Sequence, residues 1–217
     1  MSTALKSKKN KISQNSIARL SLYLRELNLC ELEHKKFISS SELARATNLT
    51  DSQVRKDLSL FGNFGVSGSG YAVGKLRAEV KTILGKDKPI DVILVGVGNL
   101  GLALLSYLDF QREGIRIRTA FDVDERKVGR AISNVQIRNI AEVENYIKKE
   151  KMKIAILAIP SHSAQQVTDT LVKAGIKCIL NFAPKVLKTA NGTLIRNVDL
   201  SREFDFFTYF IRQNNNA

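Results

Sequence analysis

The chain has 217 residues, 44% apolar and 25% charged, enough to bury one large core or two small ones, which excludes disorder as its main state. Its 34 Lys and Arg against 21 Asp and Glu give a formal charge of +13, an excess that suits a polyanionic partner better than a purely metabolic enzyme. Two cysteines, Cys30 and Cys178, make neither a disulfide framework nor a metal-ligand pair and fit a reducing cytoplasm.

The first residues, through Lys11, are polar and lack the apolar run of a signal peptide or a membrane span, so neither secretion nor membrane insertion is expected. Lys6, Lys8, Lys9 and Lys11 make this stretch, with the few residues up to 14, a solvated basic tail that can also add phosphate contacts. The charge excess is concentrated early: residues 1–88 carry 16 cationic and 8 acidic side chains, the remainder 18 and 13.

Apolar residues recur at helical spacing in Ile17, Leu20, Leu24 and Leu27, in Leu43 and Ala46, and in Val54, Leu58 and Phe61, which predicts three short helices. Ser39-Ser40-Ser41-Glu42 signals the start of the second and Thr50-Asp51-Ser52 caps the third, with a tight turn between them that fits helix-turn-helix geometry. On the third helix Val54, Leu58 and Phe61 share one face, and Ser52, Arg55, Lys56 and Ser59 lie opposite, a polar cationic face suited to base edges and phosphates. The glycine-punctuated stretch Gly62 to Tyr71 predicts a hairpin wing, and Gly74 to Gly85, with Leu76, Val80 and Leu84, a closing helix with Gly85 near its C-cap.

The run Gly85-Lys86-Asp87-Lys88-Pro89 marks the change of domain. Beyond it apolar strands and helices alternate: strand Asp91–Val95, helix Asn99–Asp109, strand Ile115–Phe121, helix 141–150, strand Lys153–Ile159, helix Ser163–Ala174 and strand Lys177–Asn181. That alternation predicts a parallel sheet covered by helices. Gly96-Val97-Gly98-Asn99-Leu100-Gly101 joins the first strand to the first helix, where three glycines permit a tight turn, close approach of a pyrophosphate and close helix packing. Asp122 stands 21 residues after Gly101, at a strand end, where a carboxylate can hold ribose hydroxyls and so favours NAD over NADP; Arg126 and Lys127 nearby are the features that would accommodate a 2′-phosphate. His162, past a strand end, and more weakly His34, in a charged loop, are the thin candidates for an acid or base in hydride chemistry, and an NAD-dependent oxidoreductase with an accessory basic domain is the alternative they would serve. A nucleotide-regulated interaction protein without DNA affinity is a third reading. The aromatic segment Ser201 to Arg212 must pack on its own sheet or on a partner subunit.

The run Gln53-Val54-Arg55-Lys56-Asp57-Leu58-Ser59-Leu60-Phe61-Gly62, with Gly65, Gly68, Gly70 and Tyr71, resembles the DNA-reading region of the Rex family of redox-sensing repressors. The resemblance continues through Val95 to Gly101, Phe121-Asp122-Val123-Asp124 with Lys127-Val128-Gly129, and Ile179-Leu180-Asn181-Phe182-Ala183-Pro184. It implies an α/β chain made of a winged helix-turn-helix domain (15–86), a Rossmann-like parallel sheet domain (87–198) and a C-terminal swapped helix (199–217). It further implies a cytoplasmic, non-catalytic repressor that binds double-stranded operator DNA as a homodimer when NADH is scarce, relative to NAD+, and is released by NADH. By position, Ser52, Gln53, Arg55, Lys56, Ser59, Gly68 and Tyr71 would meet DNA; Gly96, Val97, Gly98, Asn99, Leu100, Gly101, Asp122 and Tyr107 would meet the cofactor. Arg25, Tyr107 and Asp199 would form the switch between them, and Leu200 stands where some members of the family place a phenylalanine against the nicotinamide.

Overall fold

The computed structural model describes residues 12–66, 69–189 and 192–215, so Gly68 and the lysines from Lys6 to Lys11 lie outside the described residues. The chain divides into two compact units, Met1–Lys88 and Pro89–Ala217.

The first unit is built from α1 (Gln14–Leu32), β1 (Phe37–Ile38), α2 (Ser40–Thr47), α3 (Asp51–Ser59), β2 (Gly65–Val66), β3 (Gly70–Ala72) and α4 (Val73–Ile83). Ser13 caps α1, whose buried residues Leu20, Tyr23, Leu24, Leu27 and Cys30 fall on one stripe because they recur at three- and four-residue steps. At α2 the Ser39 hydroxyl accepts from the Glu42 N–H while the Glu42 carboxylate reaches back to the Ser39 N–H, a reciprocal capping box. Asn48 then takes a left-handed φ of 53°, and the Thr50 hydroxyl accepts from the Gln53 N–H, so one three-residue turn stops α2 and starts α3. β1, β3 and β2 form a small antiparallel sheet in that order, with Phe37 opposite Ala72 and Gly65 opposite Tyr71. The wing is thus a β2–β3 hairpin, tied to the body of the unit by β1, a two-residue strand too short to register as alternation.

The second unit runs β4 (Ile90–Val95), α5 (Asn99–Leu105), α6 (Leu108–Arg112), β5 (Ile115–Asp122), β6 (Ala131–Ile132), β7 (Val135–Asn139), α7 (Val143–Glu150), β8 (Ile154–Leu157), α8 (Ser161–Ala174), β9 (Cys178–Asn181), β10 (Leu194–Asn197) and α9 (Leu200–Asn215). The sheet order is β10-β9-β8-β4-β5-β7-β6, parallel except for the β6–β7 pair. Strand side chains alternate between faces. Ile93 and Val95 join the core with α7 and α8, while Val92 and Leu94 join the one with Leu105 and Ile137. The chain leaves β4 to one side, through β5, and returns to its other side with β8, so a crevice opens at the carboxyl ends of these three strands.

Two expectations change here. The helix expected over Asn99–Asp109 is two helices, because α5 closes at Ser106 and Tyr107 takes an extended conformation, φ −78° and ψ 100°, before α6 begins. The aromatic helix α9 does not settle on its own sheet: Phe204, Phe206, Phe207, Tyr209, Phe210 and Ile211 are each more than half exposed.

Candidate nucleotide site and nucleic-acid interface

The three glycines after β4 answer to different constraints. A Cβ on Gly96, whose φ is +97°, would stand 2.3 Å from the Ala158 carbonyl oxygen, and one on Gly101 would stand 2.1 Å from the Gly96 carbonyl oxygen. The fold itself demands both, the first to bring the loop against the end of β8, the second to let α5 cross the loop closely. Gly98 is different, because a Cβ there would meet nothing within 4 Å. The polypeptide leaves this bend open, and an open cradle beside backbone N–H groups suits a pyrophosphate.

Asp122 ends β5, 9% exposed. Its Oδ2 accepts from the Val97 N–H at 2.6 Å and its Oδ1 from the Asp124 N–H at 2.9 Å, so the carboxylate braces the glycine loop. Each oxygen keeps a lone pair for a ribose hydroxyl. Lys127 Nζ lies 3.6 Å from Asp122 Oδ2 and 3.7 Å from Asp124 Oδ2, bridging the two acids. Arg126 grips Asp124 through two 2.9 Å bonds and holds that carboxyl down to about 2. The cleft these groups border, about 460 Å³, is lined by Gly96, Gly98, Asp122, Lys127, Ile159 and His162 among others. Asn99 and Leu100 stand exposed at the start of α5.

Tyr107 departs from its expected place as a cofactor contact. The break after α5 turns it away, and it lines another cleft with Leu104, Phe110 and Ile117, its ring edge-on to Phe110 at 5.1 Å. Reasoning from sequence weighed His162 only as a catalytic group and missed Ile159 as a wall of the cleft. The signal for both was available, since residues just past a central parallel strand at the point where strand order reverses border the ligand crevice.

On α3, Ser52, Arg55, Lys56 and Ser59 are exposed and Gln53 is half-buried. Arg55 is steadied by Asp51 Oδ2 at 2.8 Å and the Ser40 hydroxyl at 3.0 Å. Lys56 has no ion-pair partner among the described residues. Ser52 shares a hydrogen bond with Thr50, and the Ser59 hydroxyl donates to the Lys56 carbonyl. Tyr71 departs from its expected role at the duplex. With 8% of its surface exposed it belongs to the core of the unit, because it alternates inward on β3.

Beneath this face lies a group the sequence did not disclose. Asp57, 1% exposed, accepts from Arg19 Nε at 2.5 Å, Arg19 Nη2 at 2.7 Å, the Tyr23 hydroxyl at 2.8 Å and Gln53 Nε2 at 2.9 Å. Burial opposes its ionisation, but these donors outweigh it and hold the acid below its ordinary range. Burial and the Asp57 carboxylate push the Tyr23 hydroxyl far above its own. An Asp on a polar nine-residue helix reads as surface charge until its partners, 34 and 38 residues away, are known.

Residues 11–59 match a family model described as "Putative DNA-binding protein N-terminus" and residues 87–185 one described as a CoA binding domain. A curated redox-sensing transcriptional repressor Rex from Roseiflexus sp. is 40% identical over 201 residues, covering 93% of this chain and 91% of that protein. The chain belongs to the Rex family. The Rex of Thermoanaerobacter pseudethanolicus is 41% identical over 208 residues, 96% of this chain and 92% of its own. A crystal structure of the Rex-family repressor RSP in complex with NAD+ and operator DNA has a TM-score of 0.89 at 38% identity, covering 94% of each chain; RSP in complex with NADH has a TM-score of 0.83 at 37%, covering 95% of this chain and 97% of that one.

In this Rex protein Arg25 is exposed on α1 with no carboxylate partner among the described residues. Asp199, just before α9, accepts at Oδ1 from the Ser201 hydroxyl at 2.5 Å and the Ser201 N–H at 3.1 Å, and the Ser201 hydroxyl leads in holding it below the usual carboxylate range. The carboxylate is therefore engaged in the first turn of its own helix.

Proposed function

We propose that this chain is a transcriptional repressor that reads the NADH to NAD+ ratio, binding operator DNA when NADH is low and letting go when NADH binds, without catalysing a reaction. The observation that carries the reading is the pairing in one chain of a side-chain-free glycine cradle under Asp122 with a helix-turn-helix whose outer face presents Arg55 and Lys56. Gly96, Val97, Gly98, Asn99, Leu100 and Gly101 would hold the pyrophosphate of NADH or NAD+, Asp122 the adenosine ribose, and Lys127 would keep the two neighbouring acids from repelling it. Ser52, Gln53, Arg55, Lys56 and Ser59 would face the duplex. Known structures of RSP with NAD+ and operator DNA, and with NADH, support both halves.

The working parts on this reading are a winged-helix domain over 15–86, a nucleotide domain over 87–198 and a helix over 199–217 that joins two copies into a homodimer. The exposed aromatics of α9 support that last assignment, since obligate interfaces are rich in such anchors. Arg25, Tyr107 and Asp199 would carry the signal between subunits. A chromosomal target makes the cytoplasm the place of action, and among the described residues no helix is long and apolar enough to cross a membrane.

The mechanism is linkage. NADH can release DNA only by binding better to a form of the dimer in which the two recognition helices are misplaced, and its differential affinity for the two forms sets the limit of the response. Fluorescence anisotropy on duplex DNA from the gene's own upstream region, titrated with NADH and separately with NAD+ at fixed salt, tests it. Release by NADH at concentrations where NAD+ does little is expected; specific binding indifferent to both would refute the sensor.

A further inference from the structure

The donors around Asp57 fix more than the position of a helix. An ionised carboxylate is acceptor-only, so the arm of the Gln53 amide that approaches Asp57 Oδ1 at 2.9 Å must be its NH2 group. Arg19 and Tyr23, both from α1, fill the other sites on the same carboxylate, which is 1% exposed, so a flipped amide would set its oxygen against a buried acceptor. The planar amide is thereby held against rotation. Its carbonyl oxygen, Oε1, has no donor among the described residues, and Gln53 sits one position before Val54 and two before Arg55 at the start of α3.

We infer that Asp57 is a positioning residue for base reading: it clamps Gln53 so that the side-chain oxygen, and not the NH2 group, is offered to the duplex, where it accepts from the exocyclic amino group of an adenine or a cytosine. The inference rests on the DNA-binding reading above and deepens it. An unclamped glutamine can turn either arm outward and reads amino and keto edges alike; a clamped one rejects guanine and thymine at its position, because two acceptors would face each other.

A duplex selected from a random-sequence pool by the wild-type protein without NADH supplies the probe. Each adenine and cytosine of that duplex is replaced in turn by an analogue lacking the exocyclic amino group. One position per half-site is expected to lose roughly 3–10-fold in affinity, the worth of one hydrogen bond, and Gln53→Met is expected to be indifferent there. Asp57→Asn gives the sharper result. Arg19 forks across both oxygens, Nε to Oδ2 and Nη2 to Oδ1, while Tyr23 takes Oδ2 and Gln53 takes Oδ1, so an amide in place of the carboxylate cannot serve all four donors and no longer fixes which arm of Gln53 faces outward. Gln53 can then turn either arm outward, and the preference for an amino over a keto base at that position should disappear while the salt dependence stays as it was.

A purely structural role predicts instead that Asp57→Asn lowers the melting temperature and weakens every duplex alike, and that outcome would overturn the inference. So would a wild-type preference for a keto base at the Gln53-dependent position, a result that needs no variant of Asp57 to fold, or the absence of any position sensitive to Gln53→Met. A pool that yields no preferred sequence would sink the DNA-binding reading itself.

Discussion

Replacing the glycines of the β4–α5 loop one at a time should separate the needs of the fold from the needs of a ligand. In Gly101→Ala the new Cβ would lie 2.1 Å from the Gly96 carbonyl oxygen, about 0.9 Å inside the 3.0 Å that real Cβ contacts respect. Both sides of that clash are backbone, so the strand end or the helix must shift, at about 3 kcal/mol or more. Gly98→Ala meets nothing within 4 Å and has an ordinary φ of −78°, so its stability should stay within about 1 kcal/mol of wild type. A methyl group in the cradle should nevertheless crowd a bound pyrophosphate by about 1–3 kcal/mol, or roughly 5–150-fold in Kd.

Thermal melts with and without NADH read both quantities. At 100 times its Kd, NADH stabilises the wild type by about 2.7 kcal/mol; a Gly98→Ala variant with Kd raised 50-fold would keep only about 0.6 kcal/mol of that. The variant should melt like the wild type without NADH and respond weakly to it. Wild-type NADH affinity in Gly98→Ala would show that no ligand approaches this bend, and a wild-type melt for Gly101→Ala would refute the packing argument.

Arg19→Ala leaves the Asp57 carboxylate buried without its cation and should destabilise the first unit by about 3–5 kcal/mol, measured by urea unfolding. Glu42 is held at about 2, by Lys35 first and then by the Ser39 N–H and hydroxyl. Its folded value is below the unfolded one of about 4.3, so its contribution is full above that pH and disappears as the pH falls toward 2. The stability advantage of wild type over Glu42→Gln should vanish over that interval in acid titrations followed by circular dichroism. Arg55→Ala should weaken operator binding by about 1–3 kcal/mol and relax the sequence preference at one position, whereas Lys56→Ala should weaken all duplexes alike and reduce the salt slope by about 1, both read by anisotropy across a salt series. Removing residues 199–217 should convert a dimer into a monomer in sedimentation velocity.

How far the sequence spoke depended on whether a residue's partner was local. The Ser39–Glu42 box and the Thr50 cap act within one turn, so the helix-turn-helix could be read from its letters. The strand–glycine–helix junction at Val95 to Gly101 is likewise contiguous. The β6–β7 hairpin and β10 sit at the two edges of the sheet, where polar residues such as the exposed Gln136 and Arg196 and the half-buried Arg138 hide the apolar run that marks a central strand. Tyr71, at the end of the wing stretch, was read as a DNA contact because nothing nearby says that β1 will pair with β3 and turn its ring inward. Asp57 was opaque for the same reason, its meaning lying on another helix. In the cleft, Asp122 was legible from its spacing to the glycines, but its hydrogen bond to the Val97 N–H appears only once two strands stand side by side.

The rings of α9 have a consequence for how much of this protein a cell can hold alone. Leu200, Phe204, Phe207 and Ile211 recur along one side of the helix, and Phe206 and Phe210 widen the stripe, each more than half open to water. On the dimer reading, burying that stripe is a second-order event, so the stability of a subunit cannot be separated from how many copies surround it. A dilute or freshly synthesised chain carries a sticky aromatic flank with every opportunity to meet the wrong surface. On that reading a related chain with matching aromatics would shield the stripe equally well, so α9 by itself gives no barrier to mixed dimers.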